Sequence, residues 1–190
     1  MLNARTAHGP LHRRRFASMS AQGEYELAAR FRKLVESVAH SRRKSDADSF
    51  AFAYLLTPKQ ADEIDRVCDE NRWERVNCYA IMIKPGYIRH VLAARKDKDG
   101  LSVAEIAAVV AKAYSPRSLL RINPPSGETS NDGRSDRQSV ILNTQQKVLL
   151  RGTPYYATAI LEIRIEGCRR YLAPVTCYHA TEAKKRRILK

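Results

Sequence analysis

The first residues with the potential for chemistry lie around a Pro-Gly turn, in the stretch IMIKPGYIRHVLAARK (residues 81–96). His90 stands in a helix-like segment after Lys84, and Arg89 and Arg95 lie close to it in the sequence. The unperturbed pKa of histidine, about 6.5, lets its imidazole accept or donate a proton near neutral pH. Arginine and lysine bind phosphate and stabilise negative charge that develops on it. The combination predicts a phosphate-containing substrate, with His90 as the proton-transfer residue.

RNA suits this set of residues because it carries its own nucleophile, the 2′-hydroxyl. Cleavage without a metal needs a proton acceptor for that hydroxyl, a cation for the charge on phosphorus and a proton for the leaving 5′-oxygen. Thr176 and Tyr178 alternate along a predicted strand, so both side chains point to one face and predict a pair of site hydroxyls. His179 points to the opposite face and ranks below His90.

Helix geometry argues against a single compact phosphate site on residues 85–95. Arg89 and Arg95 are six residues apart, so about 240° separates them on an ideal helix and they cannot both face one phosphate. Arg95 lies about 140° from His90, which argues against a shared face unless the helix ends before Arg95. Lys84 is better placed, because a phosphate binds well at the positive N-terminal end of a helix.

The remaining predicted substrate contacts are basic or hydroxyl side chains outside that helix. They are Ser139 and Lys147, which flank a predicted strand, and Lys184, Lys185 and Arg186 in the basic tail. Each candidate also has a purely structural interpretation. His90 would then be an exposed or hydrogen-bonded helix residue, Thr176 and Tyr178 an ordinary sheet face, and the tail a solvated one.

Composition favours a folded, polyanion-binding protein. The chain has 190 residues, 44% of them hydrophobic, which is enough for a core, and a formal net charge of +14. Such an excess of Lys and Arg favours nucleic acid, because cation–phosphate contacts release counterions. No segment approaches the ~20 apolar residues of a membrane helix. The basic stretch HRRRFASMS suits a transit peptide or an RNA-binding arm, and no apolar run follows it as in a secretory signal.

Motifs for metal and cofactor chemistry are missing from the sequence. It has no Gly-rich phosphate loop, no HExxH and no nucleophile elbow, so we expect no cofactor. No two cysteines are spaced as CxxC, which argues against a zinc ribbon. Two disulfides are possible by count, but free thiols in a reducing cytosol fit this composition better.

Hydrophobic periodicity predicts an α+β fold. Ser102 and Glu105 form a capping box for the strongest helix, and Thr57 with Pro58 begins another. Glu166-Gly167 signals a hairpin. Helices are predicted at 24–40, 57–73, 85–95 and 101–114, strands at 76–83, 138–144, 155–167 and 169–180, and a loop at 115–137. We therefore expect two helices followed by an antiparallel β-meander (76–190), a helical N-terminal appendage (21–75) and a flexible basic arm (1–20).

Five stretches in order carry a resemblance to a known family. They are YAIMIKPGYIRHV, a helix ending in SPRSLLRINPP, the strand QSVILNT, the strand YATAILEIR, and LAPVTCYHATEAKKRRI. Over residues 78–190 this order resembles the barnase–EndoU–colicin–RelE class of small RNases, particularly its phage-associated and polymorphic-toxin branch. The resemblance implies a metal-independent endoribonuclease, acting as a toxin or a phage or plasmid effector, that cleaves by 2′-hydroxyl transphosphorylation. His90, Arg95, Thr176 and Tyr178 would then be catalytic.

The resemblance also implies partners and leaves an alternative open. The substrate would be tRNA or rRNA in the cytoplasm, away from membranes, and an acidic immunity or antitoxin protein would bind the enzyme. Many relatives carry a second histidine after the first, whereas this chain has Arg95-Lys96 there. The alternative is therefore a non-catalytic RNA- or DNA-binding protein on the same scaffold. A third reading is a protein-interaction module that uses the helix at 24–40.

Overall fold

The computed structural model describes residues 21–41, 51–123 and 138–188. The predicted arm at 1–20 lies outside these residues. Five helices and six strands follow one another along the described chain: α1 Ala21–His40, β1 Phe52–Leu55, α2 Pro58–Glu70, β2 Ala80–Ile83, α3 Pro85–Asp99, α4 Val103–Ala113, β3 Leu119–Ile122, β4 Ser139–Leu150, β5 Thr153–Glu166, β6 Arg169–Ala180 and α5 Glu182–Ile188.

The helix ends follow the local signals in the sequence. Ser102 caps α4, and its side chain accepts from the Glu105 backbone N–H while the Glu105 carboxylate accepts from the Ser102 backbone, as predicted. Thr57 caps α2 through a second capping box, with Gln60 as the partner. α3 begins at Pro85 and ends at Asp99, and its C-cap is Gly100, whose φ of 61° is a left-handed conformation that glycine adopts without strain.

Strands β3, β4, β5 and β6 form a four-stranded antiparallel meander in chain order, which confirms the predicted α+β class. β1 and β2 form a separate antiparallel pair. Cys78, just before β2, bridges to Tyr171 on β6 and so links this pair to the meander. Within the described chain, no helix combines the length and apolar character needed to cross a membrane.

The main difference from the predicted elements lies in the stretch 115–137, which was expected to be a loop. Leu119–Ile122 forms β3 and pairs with β4. Leu120 is fully buried, and its backbone N–H donates to the Glu63 carboxylate on α2 at 2.7 Å. β4 also runs further than expected, to Leu150, with a bulge between Asn143 and Lys147. The Pro- and Gly-rich composition of the stretch hid a strand whose partners are remote in sequence.

Helix α1 belongs to the same hydrophobic core as the meander. Phe31, Leu34 and Val35 are completely buried in that core. The Phe31 ring stacks on Tyr114 at the end of α4, with 5.2 Å between ring centroids. The boundary predicted near residue 75 therefore does not coincide with a break in the packing.

The two faces of the meander differ in what covers them. Leu142, Ala159 and Cys177 face the helices, and the Cys177 thiol lies 4.0 Å from the Val109 carbonyl of α4. Because strand side chains alternate, their chain neighbours point to the opposite side, which we call the far face. Asn143, Thr158 and Tyr178 are directly paired across β4, β5 and β6 on the far face.

Candidate functional site

His90 is exposed on the outer side of α3. The inner side of that helix buries Tyr87, Ile88 and Val91, and it packs against β6 and α4. Thr176 and Tyr178 lie on the far face of the sheet, opposite the face that packs on α3 and α4, although the charge of Arg95 on α3 still acts on Tyr178. The structure therefore does not bring His90 together with these hydroxyls. The reason is the period of the helix. Because Tyr87, Ile88 and Val91 face the core, the side chain of His90 points to the opposite, exposed side of α3.

Three other predicted substrate contacts are also separate from the hydroxyl pair. Lys84 is exposed at the N-cap of α3, and Arg89 is half-buried one turn later. Ser139 lies at the start of β4, where its hydroxyl donates to the Leu161 carbonyl at 3.2 Å. The Asn123 amide donates to the same hydroxyl at 3.2 Å. Ser139 thus helps to hold the sheet together, four residues along β4 from Asn143 in the row of Tyr178.

Arg95 contributes to a different group, which we call the strand-end cluster and define as Arg95, Asp99, Tyr155 and His179. Arg95 Nη1 donates to Asp99 Oδ2 at 2.7 Å, and His179 Nδ1 lies 3.8 Å from the same oxygen. The Tyr155 ring meets the imidazole edge-on, with 4.7 Å between centroids. The last turn of α3, the start of β5 and the end of β6 bring these residues together.

Two polar atoms of the strand-end cluster are buried without a hydrogen-bond partner, namely Arg95 Nε and His179 Nδ1. Buried polar groups are normally paired, so unpaired ones require an explanation. Both side chains approach the same oxygen, Asp99 Oδ2, and only Arg95 forms a hydrogen bond with it, through Nη1. The His179 side chain is 19% exposed, and because its Nδ1 is buried, this exposure belongs to other atoms of the side chain.

The environment of His179 favours its neutral form. Burial lowers the pKa of His179 below the ordinary value of 6.5. The Asp99 carboxylate opposes this effect, while the Arg95 guanidinium and the Lys184 ammonium lower the pKa further. A neutral imidazole at neutral pH is able to accept a proton.

Sequence reasoning ranked His179 below His90 because strand alternation puts it opposite Thr176 and Tyr178. The alternation is correct: His179 pairs with Ala157, which faces the helices. The ranking did not take into account that Asp99 on α3 lies close to the histidine on that face. A signal was available in the i,i+4 pair of Arg95 and Asp99, which marks a polar end on the inner side of α3.

A second group lies on the far face next to His179. We call it the tyrosine–lysine face and define it as Lys147, Tyr156, Tyr178, Lys184 and Lys185. Lys184 Nζ lies 4.3 Å from the Tyr178 ring centroid, and Lys185 Nζ lies 3.7 Å from that of Tyr156. Lys147 pairs directly with Tyr156 across β4 and β5. The structure thus brings four residues of the predicted site together here, and Thr176 lies two residues from Tyr178 on the same face.

A row of polar side chains crosses the far face at Tyr178. Asn143 Nδ2 donates to Thr158 Oγ1 at 2.6 Å, and both residues are completely buried. Thr158 is the direct partner of Tyr178. Burial raises the pKa of Tyr178, so its hydroxyl remains protonated and able to donate a hydrogen bond. Arg186, the last predicted contact, is exposed and lies 3.4 Å from the Glu182 carboxylate within α5.

Cysteines and acidic residues do not form a further centre in the part of the chain that the structure describes. No group of three or more His, Cys, Asp and Glu side chains there is arranged to hold a metal ion. Cys68, Cys78, Cys168 and Cys177 are free thiols, of which Cys68 and Cys177 are buried and Cys168 is exposed. The Cys177 thiol is buried between β6 and α4, and burial raises its pKa to about 12, which keeps it unreactive.

Comparison with known proteins adds no relative to this picture. No family model, curated protein or solved structure matches the chain. The resemblance to small RNases stays a prediction, and the functional argument depends on the strand-end cluster and the tyrosine–lysine face.

Proposed function

We propose that the chain is an endoribonuclease that binds RNA and cleaves it by attack of the 2′-hydroxyl, with His179 rather than His90 as the proton acceptor. One observation carries the proposal: His179 has its Nδ1 3.8 Å from Asp99 Oδ2, beside the Arg95 guanidinium, while its side chain is not fully buried. Imidazole and guanidinium supply two of the functions that metal-free RNA cleavage needs, a proton acceptor and a cation beside the phosphate. The net charge of +14 supports a polyanionic substrate.

The roles follow from the positions of the side chains. In this mechanism the Asp99 carboxylate acts electrostatically from the Nδ1 side and favours the protonated imidazole, so Nε2 takes the proton from the 2′-hydroxyl. The 2′-oxygen then bonds to phosphorus while the bond to the 5′-oxygen breaks, and that oxygen takes a proton from water. Arg95 and Lys184 stabilise the charge on the phosphate oxygens. The products are a 2′,3′-cyclic phosphate and a free 5′-hydroxyl.

Cleavage of total tRNA in EDTA tests this proposal. We expect the wild-type chain to generate ends that carry 2′,3′-cyclic phosphate, and His179→Ala to lower the rate by roughly 100-fold or more, the usual contribution of a general base. His90→Ala is the matched control, because His90 is exposed on α3 outside the cluster. It should leave the rate unchanged. Loss of cleavage in His90→Ala but not in His179→Ala would reject the assignment of the base.

The pH dependence gives a second test of the same cluster. The rate should fall as the pH drops through the pKa of His179, which lies below 6.5, because only the neutral imidazole accepts a proton. Asp99 raises this pKa, so Asp99→Asn should lower it further and move the acidic limb of log kcat/KM to lower pH. Asp97→Asn, at an exposed position of α3, is the control. An acidic limb that stays in place in Asp99→Asn would remove Asp99 from the mechanism.

RNA binding without cleavage is a second candidate, and one observation favours it. The distance of 3.8 Å between His179 Nδ1 and Asp99 Oδ2 exceeds hydrogen-bond range, and the histidine side chain is only 19% exposed. In that case the tyrosine–lysine face would bind RNA, and the strand-end cluster would be structural. Salt-dependent binding with no new RNA ends in the wild-type chain would favour this function.

A further inference from the structure

Residues 182–187 of helix α5 lie over part of the far face and contribute no residue to the hydrophobic core. From Glu182 to Arg187 every residue is exposed except Lys185, which is half-buried. The contacts of α5 with the sheet include the two lysine–tyrosine pairs and a hydrogen bond between the Tyr156 hydroxyl and Glu182. Polar contacts of this kind are exchangeable, because a competing charge or ring can replace each partner.

The side chains that α5 contacts on the far face are two tyrosine rings with lysines next to them. Tyr156 and Tyr178 lie on neighbouring strands and point to the same face, since Tyr178 pairs with Thr158, two residues from Tyr156. With α5 in place Tyr156 is only 6% exposed. Movement of Lys184 and Lys185 away from the sheet would uncover one face of each ring beside Lys147. Rings among cations are the usual platform for unpaired nucleotides, whose bases stack on them while the cations bind phosphate.

We propose that α5 is a displaceable cover of Tyr156 and Tyr178, and that an unpaired stretch of RNA displaces it. This inference rests on the proposed function and names the form of RNA that the site takes. Each base takes the place of a lysine over a tyrosine ring, and the released lysine binds the neighbouring phosphate. Duplex RNA does not make this exchange, because its bases are already paired and stacked.

Binding of an oligonucleotide that cannot be cleaved tests the inference separately from catalysis. A 2′-O-methyl oligouridylate and a blunt 2′-O-methyl duplex of equal length are titrated at one salt concentration. In Tyr178→Leu we expect the Kd for the single strand to rise roughly 5- to 150-fold, the usual loss for one stacked base, with the Kd for the duplex unchanged. Tyr178→Phe, which keeps the ring, should bind as the wild-type chain does. Equal affinities of Tyr178→Leu and Tyr178→Phe for the single strand would overturn the inference.

Hydrogen–deuterium exchange of α5 tests the displacement itself. The Lys185 backbone N–H donates to the Thr181 carbonyl at 2.9 Å, which protects this amide while α5 is helical and seated. The single strand should increase deuterium uptake of this segment, whereas the duplex should not. Unchanged or decreased uptake would overturn the inference, and so would an equal increase with polyglutamate, which lacks bases. Neither result depends on cleavage, so the proposed function stands or fails by the His179 experiment alone.

Discussion

Replacing Phe31 with alanine is expected to lower the free energy of unfolding by about 3–5 kcal/mol, the usual cost of removing a buried aromatic ring. Phe31 is completely buried, with its ring stacked on Tyr114 and edge-on to Phe52 at 4.9 Å. These neighbours belong to the end of α4 and to β1, so they cannot easily close the cavity. Urea denaturation of the purified chain measures the change.

Tyr25→Ala is the matched control for Phe31→Ala. Tyr25 lies on the same helix but is 76% exposed, so its removal should change the stability by no more than about 0.5 kcal/mol. Both substitutions introduce alanine into α1, so the difference between their effects on stability reports the packing of Phe31 and not a change in helix propensity. Equal, small effects of the two substitutions would mean that α1 does not belong to the core. The predicted helical appendage at 21–75 would then be separate from the rest of the fold.

Replacing Glu63 with alanine is expected to cost about 2–3 kcal/mol, because it leaves a buried backbone donor without an acceptor. The Glu63 carboxylate accepts the Leu120 N–H at 2.7 Å and lies 3.2 Å from Arg121 Nη1. The side chain is 9% exposed, so water cannot easily take its place. The loss should appear in chemical denaturation and as faster amide exchange at Leu120.

Two further substitutions show which part of the Glu63 interaction matters. Glu63→Gln keeps an oxygen that can accept the Leu120 N–H but removes the charge beside Arg121, so it should cost only about 1 kcal/mol. Glu70→Ala, on the same helix with a side chain 60% exposed, should have almost no effect. If Glu63→Ala and Glu70→Ala were equally mild, the hydrogen bond from Leu120 would not contribute to holding β3 in the sheet.

The elements that were predicted correctly have causes within a few residues of themselves. Ser102 and Glu105 satisfy each other's backbone donors at the start of α4. Gly167 takes a φ of 59° in the turn between β5 and β6, which makes the hairpin signal reliable. The two-residue period of β5 distinguishes the buried Ala159 and Leu161 from the half-buried Ile160. Such signals are readable because the interacting groups are neighbours in the chain.

Strand β3 and the packing of α1 could not be predicted in the same way. β3 forms because β4 and Glu63 satisfy its backbone, and both are remote from it in sequence. The helical period of α1 shows an apolar side, but no local feature says which surface covers it. That surface belongs mainly to α4, the sixth element of the chain, and in part to α3, the fifth.

The sequence by itself determined the charge, the residue types suited to RNA chemistry, the α+β class and most element ends, because these depend on composition and on near neighbours. Only the tertiary structure decided which histidine meets a carboxylate. His90 follows its helix to the outside, whereas α3 packs on β6 and brings Asp99 to His179. The same fold places Thr176 and Tyr178 on the sheet face opposite His179, because alternate residues of β6 face opposite sides of the sheet.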